Sequence, residues 1–131
     1  MTYGPEFRTI LVVDDNRETC AYVKKSLTAA GYGVIAATGG AEGWRVFSEN
    51  RFKIKLLLTD IVMLDLGGFE LADRVLQIET QLPVLFMTGG PWRGYRGLEC
   101  IAKPFRSAEL VSNVSRVLSA NTRSDLTAPA A

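Results

Sequence analysis

Residues 54–60, IKLLLTD, form a mostly apolar segment that ends directly on an aspartate. The segment is too apolar to have one face in water, so it predicts a strand buried on both faces, as in a parallel sheet. Burying an unpaired carboxylate costs several kcal/mol, so Asp60 needs solvent, a cation or a chemical role where the strand ends. The stretch therefore predicts a parallel sheet with a charged group at its edge.

Strand patterns and helix patterns alternate on both sides of this segment. The predicted strands are 9–13, 32–37, 54–59, 83–88 and 98–102. The predicted helices contain 20–30, 41–47 and 69–78, and a last helix has Ser107 as its N-cap and apolar residues through 118. Because parallel strands need crossover connections, this alternation predicts an α/β fold whose doubly wound sheet is covered on both faces.

The length and composition are those of one globular domain. The chain has 131 residues, of which 47% are hydrophobic and 22% are charged. We assign residues 9–120 to the domain, residues 1–8 to an N-terminal extension that could derive from cloning, and residues 121–131 to a flexible tail. A second effector domain is not expected within this length.

The composition also excludes several classes of function. The absence of histidine excludes Ser-His-Asp and Cys-His catalysis and the usual histidine-containing zinc sites. The net charge is +1 and the basic residues are scattered, so we expect no binding to nucleic acid or to a membrane surface. The lack of a membrane-spanning run or signal-peptide pattern favours a cytoplasmic protein, and Cys20 and Cys100 are expected to be free thiols.

Five polar residues fall where predicted strands end. They are Asp14, Asp15, Asp60, Thr88 and Lys103. In an open doubly wound sheet the carboxyl ends of the strands form the ligand-binding edge, so one site would contain all five.

The residue types at this edge favour phosphoryl chemistry. Three clustered carboxylates repel one another unless some are protonated or a cation neutralises them, and Mg2+ prefers carboxylates, waters and a phosphoryl oxygen. A carboxylate can also act as a nucleophile and form an aspartyl phosphate. Lys103 would add a second cation, and Thr88 a hydroxyl donor to a phosphoryl oxygen.

Simpler interpretations exist for single residues. Asp14 and Asp15 could cap the first helix, and Asp65 is expected to be only a solvated turn residue. Trp44 and Phe47 lie at helical spacing and are expected in the core.

Two other functions of the same sheet edge fit the sequence less well. An aspartate-nucleophile phosphatase would need DxDx[TV] after the first strand, where this chain has DDNRE, and two aspartates would repel the phosphate of an FMN. A docking module that is never phosphorylated is the third alternative.

The ordered motifs resemble the receiver domain of bacterial response regulators, the CheY-like family. The matching stretches are VVDDN at 12–16, LLLTDIVM at 56–63, FMTGG at 86–90 and AKPF at 102–105. The resemblance implies a flavodoxin-like fold with five parallel strands in the order 2-1-3-4-5. It is similar to receivers that act alone and to those associated with hybrid histidine kinases.

The resemblance also implies a role for each site residue. Asp60 would accept a phosphoryl group from a phosphohistidine on a histidine kinase or a histidine phosphotransfer protein, and Thr88 and Lys103 would contact that group. The implied Mg2+ ligands are Asp14, Asp15, Asp60 and the main-chain carbonyl of Val62. Lys103–Pro104 would be a cis peptide. Such a domain catalyses its own phosphorylation and slow dephosphorylation, and signals through protein contacts rather than by conventional turnover.

Three departures from the family concern the output side. Leu64 and Gly67 replace the usual proline and polar residue after the acceptor, which predicts a more mobile loop. Cys100 stands where the family has its switch aromatic, so Trp92 or Tyr95 would have to take that role. The segment 89–102 is shorter than usual and contains Pro91, Gly94 and Gly97, so the fourth helix is expected to be shortened or absent.

Overall fold

The computed structural model of the chain describes residues 8–127, with side chains through 120. The strands are β1 (Thr9–Val13), β2 (Gly33–Ala37), β3 (Ile54–Asp60), β4 (Val84–Thr88), β5 (Gly94–Tyr95) and β6 (Leu98–Ala102). The helices are α1 (Arg17–Ala29), α2 (Gly40–Asn50), α3 (Gly68–Ile78) and α4 (Ser107–Thr127). The five predicted strands all form, with ends that differ from the prediction by one residue at most.

The strands form one sheet in the order β2-β1-β3-β4-β6-β5. β1, β2, β3, β4 and β6 are parallel and have the predicted flavodoxin-like arrangement. The predicted count of five strands is wrong by one, because β5 adds an antiparallel edge strand to β6. The two-residue turn between them uses Arg96 at φ 52 and Gly97 at φ 81, the positive angles that a tight hairpin turn requires.

This hairpin lies in the segment where the family has its fourth helix. The prediction of a shortened or absent fourth helix is confirmed, because residues 89–97 contain no helix. Pro91, Gly94 and Gly97 interrupt any helical run there, whereas Gly97 permits the turn that folds the segment back on itself.

Each face of the sheet is covered by two helices. Along β1 the side chains alternate, so Leu11 and Val13 face α2 and α3 while Ile10 and Val12 face α1 and α4. Full burial of an aliphatic side chain contributes about 1.5 to 3 kcal/mol, which explains why the central strands are apolar on both faces. The prediction that Phe47 and Trp44 are core residues is confirmed, since Phe47 is fully buried and Trp44 packs against the same cluster.

The structure identifies the residues at the starts of α1 and α4. Asn16 caps α1 by accepting a hydrogen bond from the Thr19 amide, so Asp14 and Asp15 are not the cap and remain available to the site. Ser107 is the first residue of α4 rather than its N-cap, and its hydroxyl contacts that of Ser26 on α1.

The predicted terminal segments are only partly described. α4 extends through Thr127, so it continues into the predicted tail, and residues 128–131 lie outside the described part. Of the predicted N-terminal extension, only Arg8 is described. No helix within residues 8–127 has the length and apolar character needed to cross a bilayer.

Candidate functional site

Three carboxylates meet at the carboxyl edge of the sheet. Asp14 and Asp15 follow β1 and Asp60 ends β3, and these strands are neighbours, with Val13 opposite Thr59. Each aspartate offers a carboxylate oxygen within 4.8 Å of the others. The Asp14 side chain is 1% exposed and that of Asp60 14%, whereas Asp15 is open to solvent. The structure thus brings together the acidic residues that the sequence predicted.

Lys103 supplies the positive charge of this cluster. Its Nζ lies 2.7 Å from Oδ2 of Asp14 and 3.4 Å from Oδ1 of Asp60, so one ammonium bridges the buried Asp14 carboxylate and the half-buried Asp60 carboxylate. The peptide bond between Lys103 and Pro104 is cis, as predicted. The Lys103 amide donates to the carbonyl of Thr88 at 2.7 Å, which fixes the start of this loop against the end of β4.

The charges of the site shift the pKa values of its members. Burial raises the pKa of Asp60, and the neighbouring Asp14 carboxylate raises it further, while Lys103 opposes both. For Lys103, burial lowers the pKa, but the hydrogen bond to Asp14 and the two carboxylates outweigh burial and leave the pKa raised. Burial and the Asp14 carboxylate thus disfavour the ionised form of Asp60, and the Lys103 ammonium offsets part of that penalty.

Thr88 lies at the same edge, at the end of β4. Its side chain is buried, and its hydroxyl accepts a hydrogen bond from the Gly90 amide at 3.0 Å. Its neighbour Met87 lies opposite Asp60 in the sheet register, so Thr88 lies one residue beyond Asp60 at the carboxyl edge of the sheet.

The main chain after Asp60 turns back sharply. Oδ1 of Asp60 accepts from the Ile61 amide at 3.0 Å, and the Gly68 amide donates to the Ile61 carbonyl at 2.7 Å. Val62 is 73% exposed, and because its side chain has no oxygen, only its main-chain carbonyl is suited to be a cation ligand.

The donor set of this edge fits a hard divalent cation. Three carboxylates lie within reach of one ion, and one lysine neutralises only part of their charge. Mg2+ prefers oxygen ligands and is usually held by one or two carboxylates together with waters and phosphoryl oxygens. The residues present therefore satisfy the chemistry of a magnesium site.

Comparison with known proteins agrees with this geometry. The family model of the response regulator receiver domain matches residues 10–115. The chain belongs to this receiver family. It is therefore a receiver domain of two-component signal transduction, and the fold and motif predictions from the sequence are confirmed.

Several relatives resemble the receiver over most of its length. The response regulator receiver protein CpdR of Brucella abortus (strain 2308) is 32% identical over 118 residues, which are 85% of this chain and 97% of CpdR. A receiver protein from Sinorhizobium medicae WSM419 superposes with a TM-score of 0.80 at 28% identity, covering 88% of this chain and 98% of that one. The receiver domain of the hybrid histidine kinase CckA gives a TM-score of 0.76 at 28% identity, over 84% and 98% of the two chains.

Other relatives are longer than this chain. The match to the transcriptional regulatory protein CusR of Escherichia coli (strain K12) is 29% identical over 116 residues, and covers 83% of this chain but 50% of CusR. The receiver thus corresponds to about half of that regulator.

Asp65 forms hydrogen bonds that the sequence interpretation did not predict. Asp65 is exposed, as predicted, but its carboxylate accepts hydrogen bonds from the amides of Gly40 and Ala41 at 3.1 Å and of Leu66 at 2.7 Å. Amide donors from Ala41 first, then Leu66 and Gly40, lower the pKa of Asp65. A sequence signal existed, because the N-cap of α2 is Gly39, which has no side chain to accept from the free amides of the helix.

The aromatic residues of the hairpin segment pack on α3. Tyr95 stacks on Phe69 with ring centroids 3.9 Å apart, and its hydroxyl donates to Oδ2 of Asp73 at 3.0 Å. The Trp92 ring is nearly perpendicular to the same Phe69 ring, with centroids 5.2 Å apart, and Trp92 remains 46% exposed. Cys100 is a free, half-buried thiol that packs against the same core cluster. The structure therefore places both candidate switch aromatics against α3.

Proposed function

We propose that this receiver accepts a phosphoryl group on Asp60 from a phosphohistidine of a histidine kinase or histidine phosphotransfer protein. The observation that carries the proposal is the Lys103 ammonium, which lies between the Asp14 and Asp60 carboxylates at the strand edge. This arrangement holds one carboxylate oxygen ready as a nucleophile and provides a cation for the charge that arrives with the phosphoryl group. The free cysteines fit a cytoplasmic location, where thiols stay reduced.

The transfer exchanges one bond to phosphorus for another. A carboxylate oxygen of Asp60 attacks the phosphorus, and the bond from phosphorus to the histidine nitrogen of the donor breaks. The electron pair of that bond stays on the imidazole, and the product is an acyl phosphate on Asp60. Lys103 pairs with an oxygen of the transferred group, and the Thr88 hydroxyl turns from Gly90 to donate to another.

Mg2+ would be held by Asp14, Asp15, Asp60 and the main-chain carbonyl of Val62. When bound, the ion neutralises the carboxylates and the phosphoryl oxygens, which is the part of the charge that Lys103 leaves uncompensated. Asp14 is fixed for this role because its Oδ1 accepts from the Asn16 amide at 2.9 Å while Lys103 holds Oδ2.

The chemical assignment is tested by labelling with acetyl phosphate and Mg2+, followed by intact mass spectrometry. The wild-type chain should gain one phosphoryl group, and Asp60→Asn should gain none. Asp73→Asn serves as the matched control, since Asp73 lies on α3 and bonds Tyr95 rather than Lys103. Label that persists in Asp60→Asn would refute Asp60 as the acceptor. Transfer of label from an autophosphorylated histidine kinase then tests the donor class.

The output is proposed to pass through Thr88 and the hairpin segment to a protein partner. Thr88 binds the Gly90 amide, and Gly90 leads into Trp92 and Tyr95, which pack on α3. When Thr88 turns toward the phosphoryl group, the Gly90 amide loses its acceptor and the packing of both rings changes. Cys100 cannot rotate a ring as the family's switch residue does. Hydrogen exchange in residues 88–102 should therefore change on phosphorylation, and unchanged exchange there would contradict this route.

A further inference from the structure

The loop that follows Asp60, residues 61–67, is hydrogen-bonded to the start of α2, the helix that follows β2 on the other side of β1. We call residues 61–67 the acceptor loop. Its fastening point is the Asp65 carboxylate, whose two oxygens accept from Gly40 and Ala41 at the start of α2. The sequence predicted a more mobile loop, but this contact links it to an element that precedes it by about 25 residues in sequence.

The fit between the acceptor loop and α2 is close. A Cβ on Gly40 would lie 2.0 Å from the carbonyl oxygen of Leu66, and a Cβ on Gly39 would lie 3.2 Å from Oδ2 of Asp65. Both positions therefore lack a side chain where the loop approaches. The amide donors also lie at the N-terminal end of a helix, where the helix dipole favours a negative charge.

The position of this contact relates it to the acidic site. In the sheet, β1 lies between β2 and β3, so a link from the loop after β3 to the helix after β2 passes the carboxyl end of β1. Asp14 and Asp15 lie at that end. The other end of the acceptor loop is fixed by the bond from the Gly68 amide to the Ile61 carbonyl. Residues 61–64 thus lie between two hydrogen-bonded anchors, the bond between Ile61 and Gly68 and the bonds of Asp65 to α2, beside the three carboxylates.

We propose that Asp65 is a positioning residue for phosphoryl transfer, because its bonds to the start of α2 hold the acceptor loop, and with it Asp60 and the Val62 carbonyl, against Asp14 and Asp15. This inference rests on the proposed function of Asp60. Asp65 lies outside the carboxylate cluster and touches none of the reacting groups, so it acts through the loop alone. Small displacements of a reacting group reduce phosphoryl transfer strongly, because the reaction depends on alignment.

The test compares Asp65→Ala with Glu42→Ala, using acetyl phosphate and Mg2+ with intact mass as the readout. Glu42 also lies at the start of α2 and accepts from the Thr38 amide at 3.1 Å, but has no bond to the acceptor loop. We expect Asp65→Ala to lower the labelling rate about tenfold and to raise the Mg2+ concentration that gives half the maximal rate. Glu42→Ala should stay within about twofold of wild type, since it removes a similar charge and cap without the tether.

A second measurement reports on the hydrogen bonds of Asp65 directly and does not depend on phosphorylation. In metal-free protein, Asp65→Ala should accelerate hydrogen exchange of the Gly40, Ala41 and Leu66 amides, and Glu42→Ala should not change the Leu66 amide. Asp65→Asn keeps one acceptor oxygen and turns its amide group toward the Ala41 donor, so its rate should fall between those of wild type and Asp65→Ala. If Asp65→Ala does not fold, the Asp65→Asn rate and Mg2+ midpoint decide the test.

The outcomes separate the two proposals. A labelling rate and Mg2+ midpoint equal to wild type in the Asp65 variants would overturn the positioning role, even if their melting temperature fell. A wild-type chain that takes no label would instead overturn the proposed function of Asp60, while the exchange experiment would still measure the tether. A slower rate that Glu42→Ala reproduces equally would also overturn the positioning role, because loss of a charge at α2 would then explain it.

Discussion

The Tyr95 ring lies parallel to the Phe69 ring, with centroids 3.9 Å apart and planes within 10°. Phe69 in turn meets Phe86 of β4 edge to face at 5.1 Å. The hairpin that replaces the family's fourth helix is thus attached to α3 and the sheet core by aromatic packing, in addition to the pairing of β5 with β6, and the Tyr95 hydroxyl donates to Asp73. Loss of the Tyr95 contacts should therefore weaken the attachment of the hairpin to α3.

Substitutions of Tyr95 should separate the stack from the hydrogen bond. Tyr95→Phe keeps the ring and loses the bond to Asp73, and should lower the free energy of unfolding by about 1 kcal/mol. Tyr95→Ala removes both the stack and the hydrogen bond, and should lower the free energy of unfolding by about 2 kcal/mol or more. Denaturant unfolding measures both values. Tyr22→Phe is the control, because the exposed Tyr22 hydroxyl has only a 3.3 Å bond to the Phe105 carbonyl, and should be nearly neutral. Equal losses in Tyr95→Phe and Tyr95→Ala would show that the stack contributes nothing.

Two neighbouring glycines before α3 should respond differently to alanine. A Cβ on Gly68 would lie 2.0 Å from the Asp60 carbonyl oxygen, whereas a Cβ on Gly67 meets its nearest atom at 3.5 Å. The added methyl group of Gly68→Ala must push the Asp60 main chain away. The substitution should therefore lower the free energy of unfolding by about 2 kcal/mol or more and slow phosphorylation of Asp60. Gly67→Ala, at φ −71 and ψ 160, should change stability by less than about 0.5 kcal/mol. Unfolding and labelling rates of the two variants provide the comparison, and similar behaviour would argue against the close approach at Gly68.

The strand pattern and the polar residues at strand ends were sufficient to predict the five parallel strands and the residues that meet at their carboxyl edge. IKLLLTD is apolar without alternation, which identifies a central parallel strand, and the parallel direction then places its carboxyl end beside those of its neighbours. Asp14, Asp60 and Lys103 could therefore be placed together from the sequence, because Asp60 ends a strand and Asp14 and Lys103 each come directly after one.

Features that depend on contacts between distant segments were not predictable in the same way. β5 is only two residues long, too short for a periodic pattern, and Tyr95 contacts Phe69 only through tertiary packing. Asp65 is expected to be a solvated turn residue because it lies past the end of a strand, whereas its partners Gly40 and Ala41 belong to a helix that is distant in sequence. Asn16 and Ser107 show the usual difficulty of helix ends, where several polar residues compete for the cap.

Removal of Lys103 should shift the pH dependence of phosphorylation. In the proposed transfer, ionised Asp60 is the nucleophile; burial and Asp14 raise its pKa while Lys103 opposes them. Labelling should therefore decline as the pH falls through this raised pKa, and in Lys103→Met the decline should begin at a higher pH. The measurement is the labelling rate from about pH 4 to 8 at a fixed Mg2+ concentration.

The matched control for that substitution is Lys55→Met. Lys55 lies on the same sheet, is exposed and bonds only the Phe52 carbonyl among the described residues, at 3.3 Å. Its pH profile should coincide with that of wild type. A Lys103→Met profile with a lower maximum but an unchanged acid limb would mean that Lys103 contacts the phosphoryl group without tuning Asp60.

Cys20 should make the stability of the receiver sensitive to alkaline pH. Its thiol is 5% exposed, donates to the Asp14 carbonyl at 3.2 Å, and burial raises its pKa from the ordinary value of 9.0 to about 11. Above pH 9 the unfolded chain loses this proton while the folded chain keeps it, so the free energy of unfolding falls between pH 9 and about 11. The full effect of such a shift is about 2 to 3 kcal/mol. Denaturant unfolding of Cys100→Ala, with and without Cys20→Ala, isolates the Cys20 thiol from the other one. The difference in free energy of unfolding between Cys100→Ala and the double variant with Cys20→Ala should become smaller across this pH window. A difference that stays constant would show that the thiol ionises equally in the folded and unfolded states.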